Sequence, residues 1–104
     1  ISAFRLTELM ADNLEEPLSA GALARSVDLS VRQVERLFLK HLNSTPGRYY
    51  MTLRLERARQ LLRQTNIPIL EVALSTGFTS HSYFAQSYRM QFGRAPSDER
   101  RKSF

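Results

Sequence analysis

The sequence predicts an all-α fold, a helix-turn-helix duplicated on either side of one long helix. Three observations carry this. The stretch Thr45–Gln64 keeps apolar residues close to a 3.6-residue period, at Tyr50, Leu53, Leu55, Ala58, Leu61 and Leu62, with no Gly or Pro between them. The same pattern flanks it twice, as Leu18–Pro46 and as Ile67–Pro96. Within each flank, two short amphipathic segments are separated by a turn of three to four residues, the signature of a helix-turn-helix.

In chain order, Ser2–Leu14 reads as a first helix, with Leu6, Leu9, Met10 and Leu14 on one face. Pro17 after Glu15-Glu16 closes it, since Pro disfavours a helical predecessor. Little positive charge falls here, so its expected role is to cover the core. Ser19 caps a short helix, Ala20–Ser26, with Leu23, Ala24 and Val27 inward. Asp28 tolerates the left-handed turn that follows. Ser30 and Gln33 fit a capping box, opening a helix to about His41 with Val34, Leu37, Phe38 and His41 on its inner face.

Thr45 caps the long helix and Pro46 takes its first position. Arg48, Arg54, Arg57, Arg59 and Arg63 are expected to crowd its remaining surface. Pro68 opens the next helix through Ile69, Val72 and Ala73, and Gly77 ends it in a left-handed conformation. Thr79 or Ser80 caps a last clear helix through Phe84, Tyr88 and Gln91, ending at Phe92-Gly93. The flanks align at an offset of 49 through Ala24/Ala73 and Leu29/Phe78. One extra residue in the second turn makes it 50 through Ser30/Ser80, Val34/Phe84, Phe38/Tyr88, Leu42/Phe92 and Pro46/Pro96. Such agreement marks an internal duplication. The expected division is residues 1–44, a linker helix at 45–64, and residues 65–104.

Composition sets the class of partner. At 104 residues, 42% hydrophobic and 24% charged, the chain is ordinary globular material. Neither a run near twenty apolar residues nor a secretory leader is present, so no membrane partner is expected. The absence of Cys excludes disulfides and thiolate metal sites and fits a cytoplasmic location. Opening on Ile1 rather than Met suggests a fragment or a processed form. The net charge of +5 is unevenly spread: residues 1–28 hold two basic and five acidic side chains, residues 29–104 thirteen basic and five acidic. All but Lys40 and Lys102 of the basic residues are Arg, whose planar fork suits phosphate and guanine edges. A basic chain of this size points to nucleic acid.

With Val34 as the buried direction and 100° per residue, Arg32 and Arg36 lie on the opposite side, flanked by Leu39 and Lys40. In the second copy Ser82 and Gln86 take those outward places, with Arg89 beside them. A recognition helix keeps this face polar so that side chains reach base edges. Any one such residue could be an ordinary solvated surface, but both copies carry hydrogen-bonding groups at the same angle. A helix of about twenty residues spans ~30 Å, close to the ~34–36 Å of one B-DNA turn.

These residues together resemble the C-terminal DNA-binding domain of the AraC/XylS family of bacterial transcription regulators. The resemblance rests on Ile69-Leu70-Glu71-Val72-Ala73, Gly77-Phe78-Thr79-Ser80, Ser82-Tyr83-Phe84 and Tyr88 through Phe92-Gly93 to Pro96, with Leu23-Ala24 and Leu29-Ser30 in the less regular first copy. It implies about seven helices and sequence-specific promoter binding, without cofactor or enzymatic activity. By position it implies base reading by Arg32, Glu35 and Arg36 in the first unit and by His81, Ser82, Ala85 and Gln86 in the second. Ser30, Lys40, Arg48, Arg57, Ser80 and Arg89 are the expected contacts to the DNA backbone. The stretch Tyr49-Tyr50 through Leu53-Arg54-Leu55-Glu56-Arg57-Ala58 is similar to members fused to an amidotransferase-like (DJ-1-like) sensor domain, which hints at control of amino-acid or quaternary-amine catabolism. The family resemblance further implies an N-terminal sensor or dimerisation domain and RNA polymerase as a partner, with a role as activator or as repressor both open.

Other chemistry finds little support. His41 and His81 are the only histidines and make a poor metal site; His41 is expected to be partly buried, and His81 is the better candidate for contact. No Gly-rich phosphate loop, nucleophile elbow or triad spacing occurs. Phe4, Phe38, Phe78, Phe84 and Phe92 sit at core spacing, so packing is expected rather than a base-stacking platform. The alternatives are a helical protein-interaction module with a basic surface and an architectural DNA binder without sequence preference.

Overall fold

The computed structural model describes residues 3–103. It contains seven helices: α1 (Ala3–Ala11), α2 (Ala20–Ser26), α3 (Val31–Leu42), α4 (Pro46–Gln64), α5 (Ile69–Ser75), α6 (His81–Phe92) and α7 (Pro96–Ser103). No strand occurs among the described residues. The chain forms two compact units whose boundary falls inside α4, between Leu53 and Arg54.

In the first unit Leu6, Met10, Leu23, Ala24, Val27, Val34, Phe38 and Tyr50 form the buried core. The helices begin where side chains satisfy their free N–H groups. Ser19 Oγ accepts from the Ala22 amide at 3.1 Å. Ser30 Oγ accepts from the Gln33 amide at 3.1 Å, and the Gln33 side chain accepts from the Ser30 amide at 2.8 Å. Thr45 Oγ1 accepts from the Arg48 amide at 3.2 Å. Helix α1 is shorter than expected at its C-terminus, stopping at Ala11 instead of Leu14; the expected start at Ser2 lies outside the described residues. Past Ala11 the Asn13 side chain donates to the Leu9 carbonyl at 2.8 Å, and the Tyr50 hydroxyl donates to the Asn13 carbonyl and accepts from the Leu18 amide. These bonds hold the segment after α1 in a non-helical path.

The second unit buries Leu55, Ala58, Leu62, Val72, Ala73, Phe78, Phe84 and Tyr88. Its aromatic rings follow one another, Phe78 to Phe84 at 5.1 Å, Phe84 to Tyr88 at 5.9 Å and Tyr88 to Phe92 at 4.7 Å between centroids. Such tilted pairs add about 0.5–1.5 kcal/mol each beyond the area they bury.

The duplication extends to the backbone. Asp28 (φ 57°) and Gly77 (φ 88°) are equivalent in the two turns, and Asn43 (φ 50°) and Gly93 (φ 75°) end α3 and α6. The Leu29 amide donates to the Ala24 carbonyl at 2.9 Å, as Phe78 does to Ala73. One equivalence changes chemistry. Phe38 packs edge-on against Tyr49 at 5.7 Å in the first unit. In the second, the Tyr88 hydroxyl donates to the Glu99 carboxylate at 2.8 Å.

Three expectations need correction. Arg54, Arg59 and Arg63 do not simply cover the surface of α4; all three engage groups within the second unit. His41 is exposed rather than partly buried. It edges a groove of about 490 Å³ lined also by Ala3, Phe4, Thr7, Leu42 and Tyr49, while Leu42 beside it packs against the core. Phe4 belongs to the same rim and is 70% exposed, so it is not a core residue.

Candidate nucleic-acid interface

Helix α3 buries Val34 and Phe38, which turns Arg32, Glu35, Arg36 and Lys40 outward, all exposed. Among the described residues none of these four side chains has an intramolecular hydrogen bond or ion pair. Charged groups left without partners on one helix face are available to a ligand. Gln33, on the flank, is occupied by the capping box. Arg36 and Lys40 border an open groove of about 400 Å³ with an apolar floor from Leu29 and Leu37.

Helix α6 repeats this arrangement with different chemistry. Phe84 and Tyr88 are buried, and His81, Ser82, Gln86 and Arg89 are exposed; Ala85 is half-buried. Ser80 caps the helix, its Oγ accepting from the Tyr83 amide at 3.2 Å. Gln86 and Arg89 line a groove with Ala85 and Met90; of these, Gln86 and Met90 are the counterparts of Arg36 and Lys40 in the groove on α3. Among the described residues the side chains of His81, Ser82, Gln86 and Arg89 also lack intramolecular polar partners.

The expected residues therefore fall into two sets, each on one helix. Arg32, Glu35, Arg36 and Lys40 share α3 with its cap Ser30; His81, Ser82, Ala85, Gln86 and Arg89 share α6 with its cap Ser80. Arg48 is exposed in the first turn of α4, in the first unit. Arg57 is exposed in the second unit and donates to the Gln60 side chain at 3.2 Å.

Two residues outside these sets hold the frame of the second unit. Arg54 donates from Nε to the Thr76 carbonyl at 2.9 Å and from Nη2 to the Gly77 carbonyl at 2.8 Å, while its guanidinium carbon lies 4.1 Å from the Phe78 ring centroid. Glu99 is buried, its carboxylate 2.9 Å from Arg63 Nε, 3.2 Å from Arg59 Nε and 3.6 Å from Arg94 Nη1. Burial alone pushes its carboxyl up. Hydrogen bonds from Tyr88 and Arg63 and the charges of Arg63 and Arg59 outweigh that and hold it below its ordinary value. The Tyr88 phenol is pushed well above its ordinary range, by burial first and then by its bond to Glu99. Neither residue has a local sequence signal. The repeat offers one clue, since Glu99 stands 50 residues after Tyr49, where the first copy has an aromatic ring.

The helix-turn-helix domain family matches residues 23–102, most of the chain. The crystal structure of a Chromobacterium violaceum transcriptional regulator, of the AraC-type DNA-binding domain-containing proteins, is 44% identical. It matches with a TM-score of 0.93 over 97% of this chain and 90% of that one. The chain belongs to the AraC-type family of DNA-binding domains. Another relative of this AraC-type domain is the transcriptional regulator GbdR of Pseudomonas aeruginosa, 53% identical over 95 residues, which are 91% of this chain and 26% of GbdR. The chain thus spans about a quarter of the length of the curated relatives it matches. The DNA-binding domain of AdpA, solved with a target DNA, is similar at a TM-score of 0.90 and 26% identity, over 96% of this chain and 90% of that one. The AraC-type family consists of DNA-binding transcription regulators rather than enzymes, and its all-helical architecture is the one observed.

Proposed function

We propose that this chain binds double-stranded promoter DNA with sequence specificity, as the DNA-binding part of a bacterial transcription regulator, reading successive major-groove segments with α3 and α6. The observation that carries the reading is the pair of unengaged polar faces at equivalent positions of a duplicated helix-turn-helix. Arg36 and Arg32 suit bidentate contact to guanine, and Glu35 can accept from a cytosine amino group. In the second unit Gln86 suits adenine, His81 and Ser82 address several bases, and Ala85 offers a methyl to thymine. Lys40, Arg48, Arg57 and Arg89 supply charge to the phosphates. Ser30 and Ser80 accept from amides of their own helices, and each keeps its hydroxyl proton to donate to a phosphate oxygen.

The same reading places the chain in the cytoplasm and, in an intact protein, beside a sensor domain and RNA polymerase. No described helix is long and apolar enough to cross a membrane. The test is a titration of a duplex selected from a random pool against its scrambled counterpart at one moderate salt concentration. A preference of ~10³-fold or more is expected. Equal binding to both marks an architectural protein, and binding to neither marks a protein-interaction module.

A further inference from the structure

The turn between α5 and α6 sets where the second recognition helix begins. Its chain passes through Thr76, then Gly77 at φ 88°, then the buried Phe78, and reaches the cap Ser80 two residues later. A turn of this kind ends a helix with exposed carbonyls whose only intrinsic partners are water or a donor brought from elsewhere. Here that donor is Arg54, at the start of the second unit's share of α4. Its fork takes the carbonyls of Thr76 and Gly77, and its flat face stacks on Phe78. Three consecutive residues of the turn are thereby held by one side chain.

The first copy lacks this clamp. At the offset of 49 the equivalent of Arg54 is Arg5, which is exposed and has no side-chain hydrogen bond or ion pair among the described residues. Leu29 stands in place of Phe78 and offers no ring to stack on. The capping box that Gln33 completes on α3 also has no counterpart on α6, where Tyr83 occupies that position. Both helices have a serine cap, but the copies add different supports: α3 the Gln33 side chain that completes its box, α6 an arginine reaching from another helix to the turn before it.

From this we infer that Arg54 is a positioning residue for DNA readout: it fixes the turn before α6 and so sets the register in which His81, Ser82 and Gln86 meet the bases. This rests on the DNA-binding reading above. Lys cannot replace it, because an ammonium presents no rigid fork to two carbonyls and no plane to the ring. A direct phosphate contact would act differently, through charge and in proportion to salt.

The experiment uses the whole chain, a duplex selected from a random pool with the parent sequence, and versions of that duplex with either half-site scrambled. The parent's preference for the selected duplex over a fully scrambled one tests the DNA-binding reading by itself. Arg54→Lys should then bind the scrambled duplex as the parent does, keep the parent's salt slope, and retain discrimination at the first half-site. At the second half-site its discrimination should fall about tenfold. Arg54→Ala should lose the same discrimination, and its salt slope should also stay at the parent's value. Full discrimination at the second half-site in both variants overturns the inference, as does an equal loss at both half-sites. A fall in salt slope of about one in Arg54→Ala would make Arg54 a phosphate contact instead. Loss of helical circular dichroism in Arg54→Lys would also overturn it, since Arg54 would then hold the fold and not the register.

Discussion

Glu99 concentrates three arginines and a tyrosine on a carboxylate whose side chain is 1% exposed, so its removal leaves several donors without an acceptor. Hydrogen bonds to a charged group contribute about 1.5–3 kcal/mol each. The arginine side chains remain 34–45% exposed and regain water, so Glu99→Ala should destabilise by only about 2–3 kcal/mol, read from chemical denaturation. Because the folded carboxyl titrates below its ordinary value of 4.5, its stabilisation is complete above that pH and is lost as pH falls through the lower folded value. The stability gap between the parent and Glu99→Gln should therefore be constant near neutrality and narrow below pH 4.5. A gap that widened in acid would show the sign of the shift to be wrong. For the outward arginines the measurement is binding. Arg36→Ala should cost ~1–3 kcal/mol of discrimination at one base position, whereas Arg48→Ala or Arg57→Ala should weaken all sequences alike and lower the salt slope by about one. Uniform weakening by Arg36→Ala would remove it from the base readers.

At the scale of the helices, α3 and α6 share a framework and differ in what they expose. The outward face of α3 carries Arg32, Arg36 and Lys40 against one acidic residue, Glu35, and that of α6 carries Ser82 and Gln86 with Arg89 beside them. Neutral side chains release no counterions, so the first half-site should be held more tightly and with the steeper salt dependence. Scrambling each half-site in turn and measuring affinity at two salt concentrations checks this; a costlier loss at the second half-site would refute the inference from charge. These faces were legible in the sequence because burial repeats every 3.6 residues and Val34, Phe38, Phe84 and Tyr88 mark the inner side unambiguously. The caps were legible for the same reason of locality, Ser30 with Gln33 and Gly77 at the turn. Helical angle alone does not place Arg54, Arg59 and Arg63. A long side chain leaves its Cα direction, and their acceptors, Thr76, Gly77 and Glu99, lie 22 to 40 residues further along the chain. His41 departs oppositely: its angle on α3 faces inward, yet it is exposed at the edge of the groove beside Phe4 and Thr7.

For the molecule as a whole, the sequence disclosed the duplication through matched residue types, and the left-handed positions Asp28, Gly77, Asn43 and Gly93 carry the same repeat in the backbone. For base reading the sequence offers only a candidate face, because base contact depends on a ligand's geometry and not on the chain's own packing. Each unit presents its own unengaged polar helix, with differing side chains, so a single chain should occupy one asymmetric site and no palindrome is needed. The most direct test of this account is a footprint of the chain on a duplex it has selected from a random pool, at a concentration where one copy binds. Protection of two major-groove segments about one helical turn apart, with unrelated sequences in the two, is the result the account predicts. Protection confined to a single major-groove segment would contradict it.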